Sequence, residues 1–399
     1  MKRILIVHTS MELGGAETSL LGLLDAFDYQ KNSIYLFLYE LKGELLRLIP
    51  KDVHILKPVH QYTALVSPIK CALFSGHIGV AVARLSAKTV CVLKNRKHHF
   101  NDYGYIVKQN SHYYALPLLP QFGGQYDFAI SFMDPHFILN EKVSAKVKLG
   151  WLHTDFSLID LEQKLEEKMW QNVDYAVNVS NECKAAFDKK HPGLENKSIV
   201  IENILSLKLI NESANKFEPI EEMSEKGIRL LSIGRYCKAK NFDNVPDICA
   251  RLVRDSLDVR WYIIGFGGDE ELIRQKIAEA HMEEHVILLG KKENPYPYIK
   301  ACDLYVQPSR YEGKSVAVRE AQILCKPVVI TDYPTSAGQL ENGVDGVIVP
   351  MDNEGCAVGI AALLRDPARM QMLSENCSKR DYTNAQEINK LYALMEKEL

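Results

Sequence analysis

The feature that most constrains this chain is a repeating alternation of short apolar runs with helical stretches. Residues 3–8, RILIVH, end in a polar turn with two glycines, TSMELGG. The stretch AETSLLGLLDAF then puts Leu20, Leu23, Leu24 and Phe27 on one helical face. SIYLFLY is β-branched and aromatic, and YDFAISF, KLGWLH, YAVNVS and SIVIEN read as further strands with helices between them. Strands that alternate with helices pair in parallel and give a layered α/β architecture.

The alternation lapses from residue 206, where SLKLINESANKFEPIEEMSEK is polar and carries no sustained period. It restarts with IRLLSIG, VRWYIIG, HVILLG, DLYVQPS, KPVVIT and GVIVP, again with helices between. The expected organisation is therefore a Rossmann-like domain over 1–205, a linker over 206–226 and a second Rossmann-like domain over 227–380. A terminal helix over 381–399 is expected to pack back towards the first domain. A length of 399 residues agrees with two or three domains. Two such α/β/α domains are expected to face each other across a cleft, with ligands beyond the carboxyl ends of the strands.

Composition excludes several classes. A formal net charge of -3 argues against a nucleic-acid partner. The 9 cysteines are scattered with no Cys-x-x-Cys, which suits free thiols in a reducing compartment rather than a disulfide framework or a zinc site. The opening apolar run is too short for a signal peptide, and no run of 18 apolar residues predicts a membrane span. The expected location is cytoplasmic.

The chemistry is sought in the loops after strands. In SIGRYCKAKNFDN, Gly234 allows a tight exit from a strand, and Arg235 and Lys240 flank a loop leading into a helix. Two cations at a helix start suit a diphosphate, although alone they also suit a solvated basic loop. SRYEGKSVAVREAQ repeats the arrangement: the N–H groups of 313–316 would be donors of a helix's first turn. There Glu312 is placed to accept sugar hydroxyls and Glu320 to bridge the vicinal hydroxyls of a ribose. A glutamate before a helix is equally a residue that the helix dipole favours. Gly14 and Gly15 permit close backbone approach, and WLHTDFS sets His153 and Asp155 at a strand end. IIGFGGDEE reads as a turn of purely geometric importance. No Asp-x-Asp occurs, so a diphosphate would be neutralised by Arg235, Lys240 and backbone amides, and neither a metal nor a cofactor is expected.

Taken in order, GGAE, WLHTDFS, SIGRYCKAKNFDN, SRYEGKSVAVREA and VDGVIVP resemble glycosyltransferase family 4, retaining enzymes of the GT-B fold that include bacterial surface-polysaccharide and glycolipid enzymes. The resemblance runs from about residue 3 to residue 365. It implies that Arg235 and Lys240 hold the donor's diphosphate, and that Glu312 meets the transferred sugar. Glu320 would bind the nucleotide ribose, Gly15 would lie in a loop that closes over the phosphates and sugar, and His153 would stand near the reacting carbon. It further implies a metal-independent, retaining hexosyltransferase with a UDP-sugar donor and a glycan or lipid-linked oligosaccharide acceptor. Lys314 and Ser315 count with the substrate-binding residues, but the family often has an aromatic or apolar residue and a glycine there, so the sugar's identity does not transfer. Phe266 stands where an aspartate is common. The rival readings are a sugar-nucleotide epimerase or phosphorylase of the same fold, and a non-catalytic sugar-nucleotide-binding subunit.

One further segment stands out. Residues 51–110 hold nine Lys or Arg against Asp52 and Asp102. Lys70, His77, Arg84 and Lys88 would form one cationic stripe if the segment were a single helix. That pattern suits an anionic membrane surface, peripheral on the inner face of the plasma membrane, and equally suits a helix packed on its own domain with a wet basic edge.

Overall fold

The computed structural model describes residues 1–12, 14–100, 103–154, 156, 159–224 and 226–398. Its contacts divide the chain into two units, Met1–Ile204 with Gln386–Leu399, and Leu205–Ala385.

The sheet of the first unit contains β1 (Lys2–His8), β2 (Asn32–Leu38), β3 (His54–Ile55), β4 (Tyr126–Ser131), β5 (Ala145–Leu152), β6 (Tyr175–Asn178) and β7 (Ser198–Val200). The spatial order is β3-β2-β1-β4-β5-β6-β7, and every pairing is parallel. Ile4 stands opposite Ile34 on one side and Phe128 on the other. Ile4, Leu5, Ile6 and Val7 are all buried, which explains a continuous apolar run instead of an alternating one. The two-residue β3 was not expected, being too short to show a period.

The second sheet contains β8 (Ile228–Ile233), β9 (Val259–Ile264), β10 (Val286–Gly290), β11 (Leu304–Gln307), β12 (Val328–Thr331) and β13 (Val347–Val349). It is also parallel, in the order β10-β9-β8-β11-β12-β13. In each sheet the strand order reverses beside the first strand, between β1 and β4 and between β8 and β11. Those reversals leave a crevice at the strands' carboxyl ends, and they position the side chains considered below.

Two expectations change. Residues 206–226 do not form a linker. Helix Leu207–Ala214 is capped by Ser206, whose hydroxyl accepts from Leu209 N at 3.2 Å. Ile210, Ala214 and Met223 are buried in one cluster with Leu231, Tyr262 and Tyr298. The few apolar residues here suffice to dock the segment, and the polar ones between them hid the pattern. Residues 381–385 also stay with the second unit, where Thr383 O accepts from Leu205 N at 2.8 Å. Only the last helix, Ile388–Glu398, joins the first unit: Lys2 Nζ donates to Met395 O at 2.9 Å and Asp28 N to the Tyr392 hydroxyl at 2.7 Å.

The single cationic stripe does not form either. Helix Ile69–Phe74 ends at a break where Gly76 takes φ +83°, and a second helix runs over Ile78–His98. Lys70 is therefore on a different helix from Lys88. Arg84 turns inward, with Nη1 donating to Ala64 O at 2.7 Å and Ser67 O at 2.5 Å. The described cysteines are all free thiols. Among the described residues no helix is long and apolar enough to cross a membrane.

Candidate active site

In the second unit the loops leaving β8 and β11 are fastened edge to edge. Arg310 N donates to Ala239 O at 2.8 Å, and Asn241 Nδ2 to Pro308 O at 2.9 Å. Asn241 sits at φ 60°, a left-handed conformation that asparagine tolerates. The Arg310 guanidinium grips both carboxylate oxygens of Asp243, at 2.9 and 2.7 Å, a bidentate pair that fixes orientation as well as distance.

This strapping brings Lys240 to Glu312. Lys240 Nζ lies 2.5 Å from Glu312 Oε1, and both side chains are mostly buried. The lysine stem lies along Gly234, where an added Cβ would stand 3.0 Å from Lys240 Cε. Glu312 is held from below by a buried relay. The Tyr305 hydroxyl donates to Gln307 Oε1 at 2.7 Å, Gln307 Nε2 to Ser309 Oγ at 3.0 Å, and Ser309 Oγ to Glu312 Oε1 at 2.7 Å. Arg235 is exposed and takes part in none of the described ion pairs.

Glu320 is buried in helix Val316–Ile323 and accepts a hydrogen bond from the Tyr296 hydroxyl at 2.9 Å. Burial pushes its carboxyl up to about 7, with the Tyr296 hydrogen bond pulling the other way. At the mouth of that helix one expected donor is already taken: Ser315 N–H donates to Gln339 Oε1 at 2.6 Å, and Gln339 Nε2 donates back to Ser315 O at 3.2 Å. Ser315 is buried and Lys314 half-buried, and Thr335 Oγ1 holds the carbonyl of Glu312 at 2.8 Å. The turn after β9 is structural. An added Cβ on Gly265 would stand 1.9 Å from Gly234 O, so the glycine lets the two loops touch.

The first unit assembles a separate polar group at its own reversal. Gly14 precedes helix Gly15–Ala26, and a Cβ on it would stand 2.3 Å from Glu17 Oε2. His8 Nε2 is 3.2 Å from Glu17 Oε1. Burial pushes the Glu17 carboxyl up, but the hydrogen bond and charge of His8, with a smaller pull from His153, hold it below its usual range. His153 Nε2 donates to Phe132 O at 3.0 Å, which leaves Nδ1 as the acceptor nitrogen. Burial and the neighbouring His8 drop His153 to about 4, so it is neutral at pH 7. Asp155 lies outside the described residues.

Residues 213–380 match the family model of glycosyl transferases group 1. The chain is 31% identical over 172 residues to the Campylobacter jejuni N-acetylgalactosamine-N,N'-diacetylbacillosaminyl-diphospho-undecaprenol 4-alpha-N-acetylgalactosaminyltransferase, covering 43% of this chain and 45% of that one. The match to the family model lies within the second unit. It is also 22% identical over 190 residues to the Escherichia coli UDP-Gal:alpha-D-GlcNAc-diphosphoundecaprenol alpha-1,3-galactosyltransferase, covering 46% of this chain and 49% of that one. The chain thus spans less than half the length of these curated relatives. Among solved structures it resembles Anabaena Alr3699/HepE in complex with UDP-glucose, with a TM-score of 0.67 and 17% identity over 98% of this chain and 100% of that one. The fold is GT-B.

Of the residues singled out in the sequence, the structure brings Lys240 and Glu312 together, and sequence reasoning missed what orients them. Gln307 did leave a signal, a polar residue ending an otherwise apolar strand. Gln339, His8 and Glu17 left none, because their partners are remote or lie beyond a loop, and Ser309 left none because it is one polar residue among several in its loop. The expectation of no metal also passed over one His-x-x-x-His, His281 to His285. His281 has φ 55° in a turn, and His285 Nδ1 is 2.8 Å from Val259 O. Among the described residues no group of three or more His, Cys, Asp or Glu could hold a metal ion.

Proposed function

We propose that the protein is a retaining, metal-independent hexosyltransferase. It moves a hexose or N-acetylhexosamine from a UDP-sugar to a hydroxyl of a glycan or lipid-linked acceptor, in surface polysaccharide or glycolipid synthesis. The reading rests on the Lys240–Glu312 pair, a cation and a carboxylate on adjacent loops at the strand-order reversal of the matched unit. The undecaprenyl-linked substrates named for the Campylobacter and Escherichia relatives, and the UDP-glucose bound to HepE, support the donor and acceptor classes.

In this mechanism the bond between the anomeric carbon and the phosphate oxygen breaks, leaving positive charge on the carbon and negative charge on the phosphate. Lys240 and Arg235 stabilise that phosphate. Because Lys240 is already fixed by Glu312, little reorganisation is required when the charge develops. Glu312, oriented by Ser309, accepts hydroxyls of the transferred sugar and does not attack it. The acceptor oxygen forms its bond on the face the phosphate leaves, and its proton passes to the departing phosphate oxygen. Glu320 keeps one oxygen on Tyr296 and offers the other to the ribose. Lys314 and Ser315 flank the sugar. We take the reaction to run in the cytoplasm, at the inner face of the plasma membrane.

The test is UDP release from a panel of UDP-sugars with lipid-linked and free glycan acceptors, in EDTA, with the product's anomeric configuration read by NMR. Acceptor-dependent UDP release with retained configuration is expected. Donor turnover without acceptor-dependent UDP release would point to an epimerase. UDP-sugar binding without any turnover would point to a binding subunit.

A further inference from the structure

Helix Ile78–His98 has its hydrophobicity on the wrong side for a helix that only packs on its own domain. A surface helix ordinarily turns its large apolar side chains to the core. Here the buried side is small: Val80, Ala81, Ala87 and Cys91. The large side chains face outward, with Ile78 60% exposed, Val82 52%, Leu85 44% and Leu93 60%. Their spacing of four, three and eight residues, with Val92 seven after Leu85, keeps them in one row along the helix. Phe74, four residues before Ile78 at the end of the preceding helix, is 92% exposed. Leu118, also exposed, widens the row near its start: the Cβ position of Gly79 is 3.3 Å from Leu118 Cδ1. Single exposed apolar residues need no explanation, but a continuous row marks a contact surface.

The charge around the row says what it contacts. Residues 69–98 carry six Lys or Arg and neither Asp nor Glu. Arg84 is spent on backbone carbonyls and Lys94 pairs with Glu162. Lys70, Lys88, Arg96 and Lys97 are exposed. Lys88 is three residues after Leu85, Arg96 is three after Leu93, and Lys97 is four after it, so cations border and extend the apolar row. A second copy of so cationic a face would repel the first. An anionic surface with an apolar interior complements it on both counts.

We propose that this face of the first unit docks on an anionic lipid bilayer. Phe74, Ile78, Val82, Leu85 and Leu93 would seat at the acyl boundary, with Lys70, Lys88, Arg96 and Lys97 on lipid phosphates. The inference does not depend on the transfer reading, because it concerns residues outside the candidate active site and is measured by binding alone.

The experiment is co-flotation of the full chain with phosphatidylglycerol-containing and pure phosphatidylcholine vesicles, with UDP affinity measured on the same samples. Binding to the anionic vesicles is expected to exceed that to the neutral ones at least tenfold and to fall as salt is raised. Phe74→Ser with Leu93→Ser should lose at least tenfold in binding, and so should Lys88→Glu with Lys97→Glu, all with unchanged UDP affinity and melting temperature. Phe74→Trp should shift its emission to the blue on anionic vesicles only. Parent protein left unbound by anionic vesicles at low salt overturns the proposal, as does undiminished binding by both double variants. A dimer that the serine double variant converts to monomer, in protein indifferent to vesicles, assigns the face to a second copy instead.

Discussion

Lys240 Nζ and Glu312 Oε1 stand 2.5 Å apart although 72 residues separate them in the chain. The pair exists because β8 and β11 are neighbours and because Arg310 and Asp243 clamp the two loops that follow them. Each of the two charges compensates the other.

Removing either member should separate catalysis from folding. Lys240→Ala is expected to lower kcat/KM by about 10²–10³-fold, the usual cost of one preorganised charge donor. It should destabilise the protein by only about 1–2 kcal/mol, since Ser309 still satisfies Glu312. Glu312→Gln should fold like the parent and lose a comparable share of kcat/KM. Steady-state UDP release and thermal melts decide the outcome, and near-parental rates in both variants would falsify the site.

Glu320 should make donor binding pH-dependent. Its folded-state value is about 7 against an ordinary 4.5, so between those values the folded form holds the extra proton. Stability contributed by this group is therefore greatest in acid and declines as pH rises through that window. A ribose donating hydroxyls to the carboxylate favours the charged form. UDP affinity should weaken as pH falls below about 7, by up to about tenfold per unit, and Glu320→Gln should flatten the curve. Calorimetric titrations between pH 5.5 and 8 in buffers of different ionisation enthalpy would show the linked proton release.

Two glycines should behave differently although both lie beneath the same loop. In Gly234→Ala the new methyl meets the flexible stem of Lys240 at 3.0 Å, so the lysine moves and UDP affinity should fall about tenfold with little loss of stability. In Gly265→Ala it meets a backbone carbonyl at 1.9 Å, which no rotamer can relieve. A loss of about 1–3 kcal/mol or more is expected, read as a lower denaturant midpoint.

Glu166 should matter for stability of the first unit. Its fully buried carboxylate accepts from the Tyr105 hydroxyl, Gln109 Nε2, Trp170 Nε1 and His191 Nε2, at 2.8, 2.5, 3.1 and 3.0 Å. Glu166→Ala removes the acceptor these four buried side chains share and should cost about 3–5 kcal/mol. A denaturation curve close to the parent's would show that water enters and replaces the carboxylate.

What the sequence alone determined is what depends on neighbours in the chain. Apolar runs too long to alternate demanded strands buried on both faces, and the helices between them demanded parallel pairing. That Lys240 and Glu312 each lie a few residues past a strand end was legible too. The weakly periodic segment 206–226 and the broken helix at Gly76 were misread for the same reason, since local pattern alone cannot show which few side chains find a partner. Only tertiary structure decided that Lys240 meets Glu312, that Gln339 occupies the Ser315 amide, and that Glu17 answers His8. Which strands lie side by side is settled by packing the whole sheet, and hydrogen bonds a few ångströms long form only after that packing has brought distant segments together.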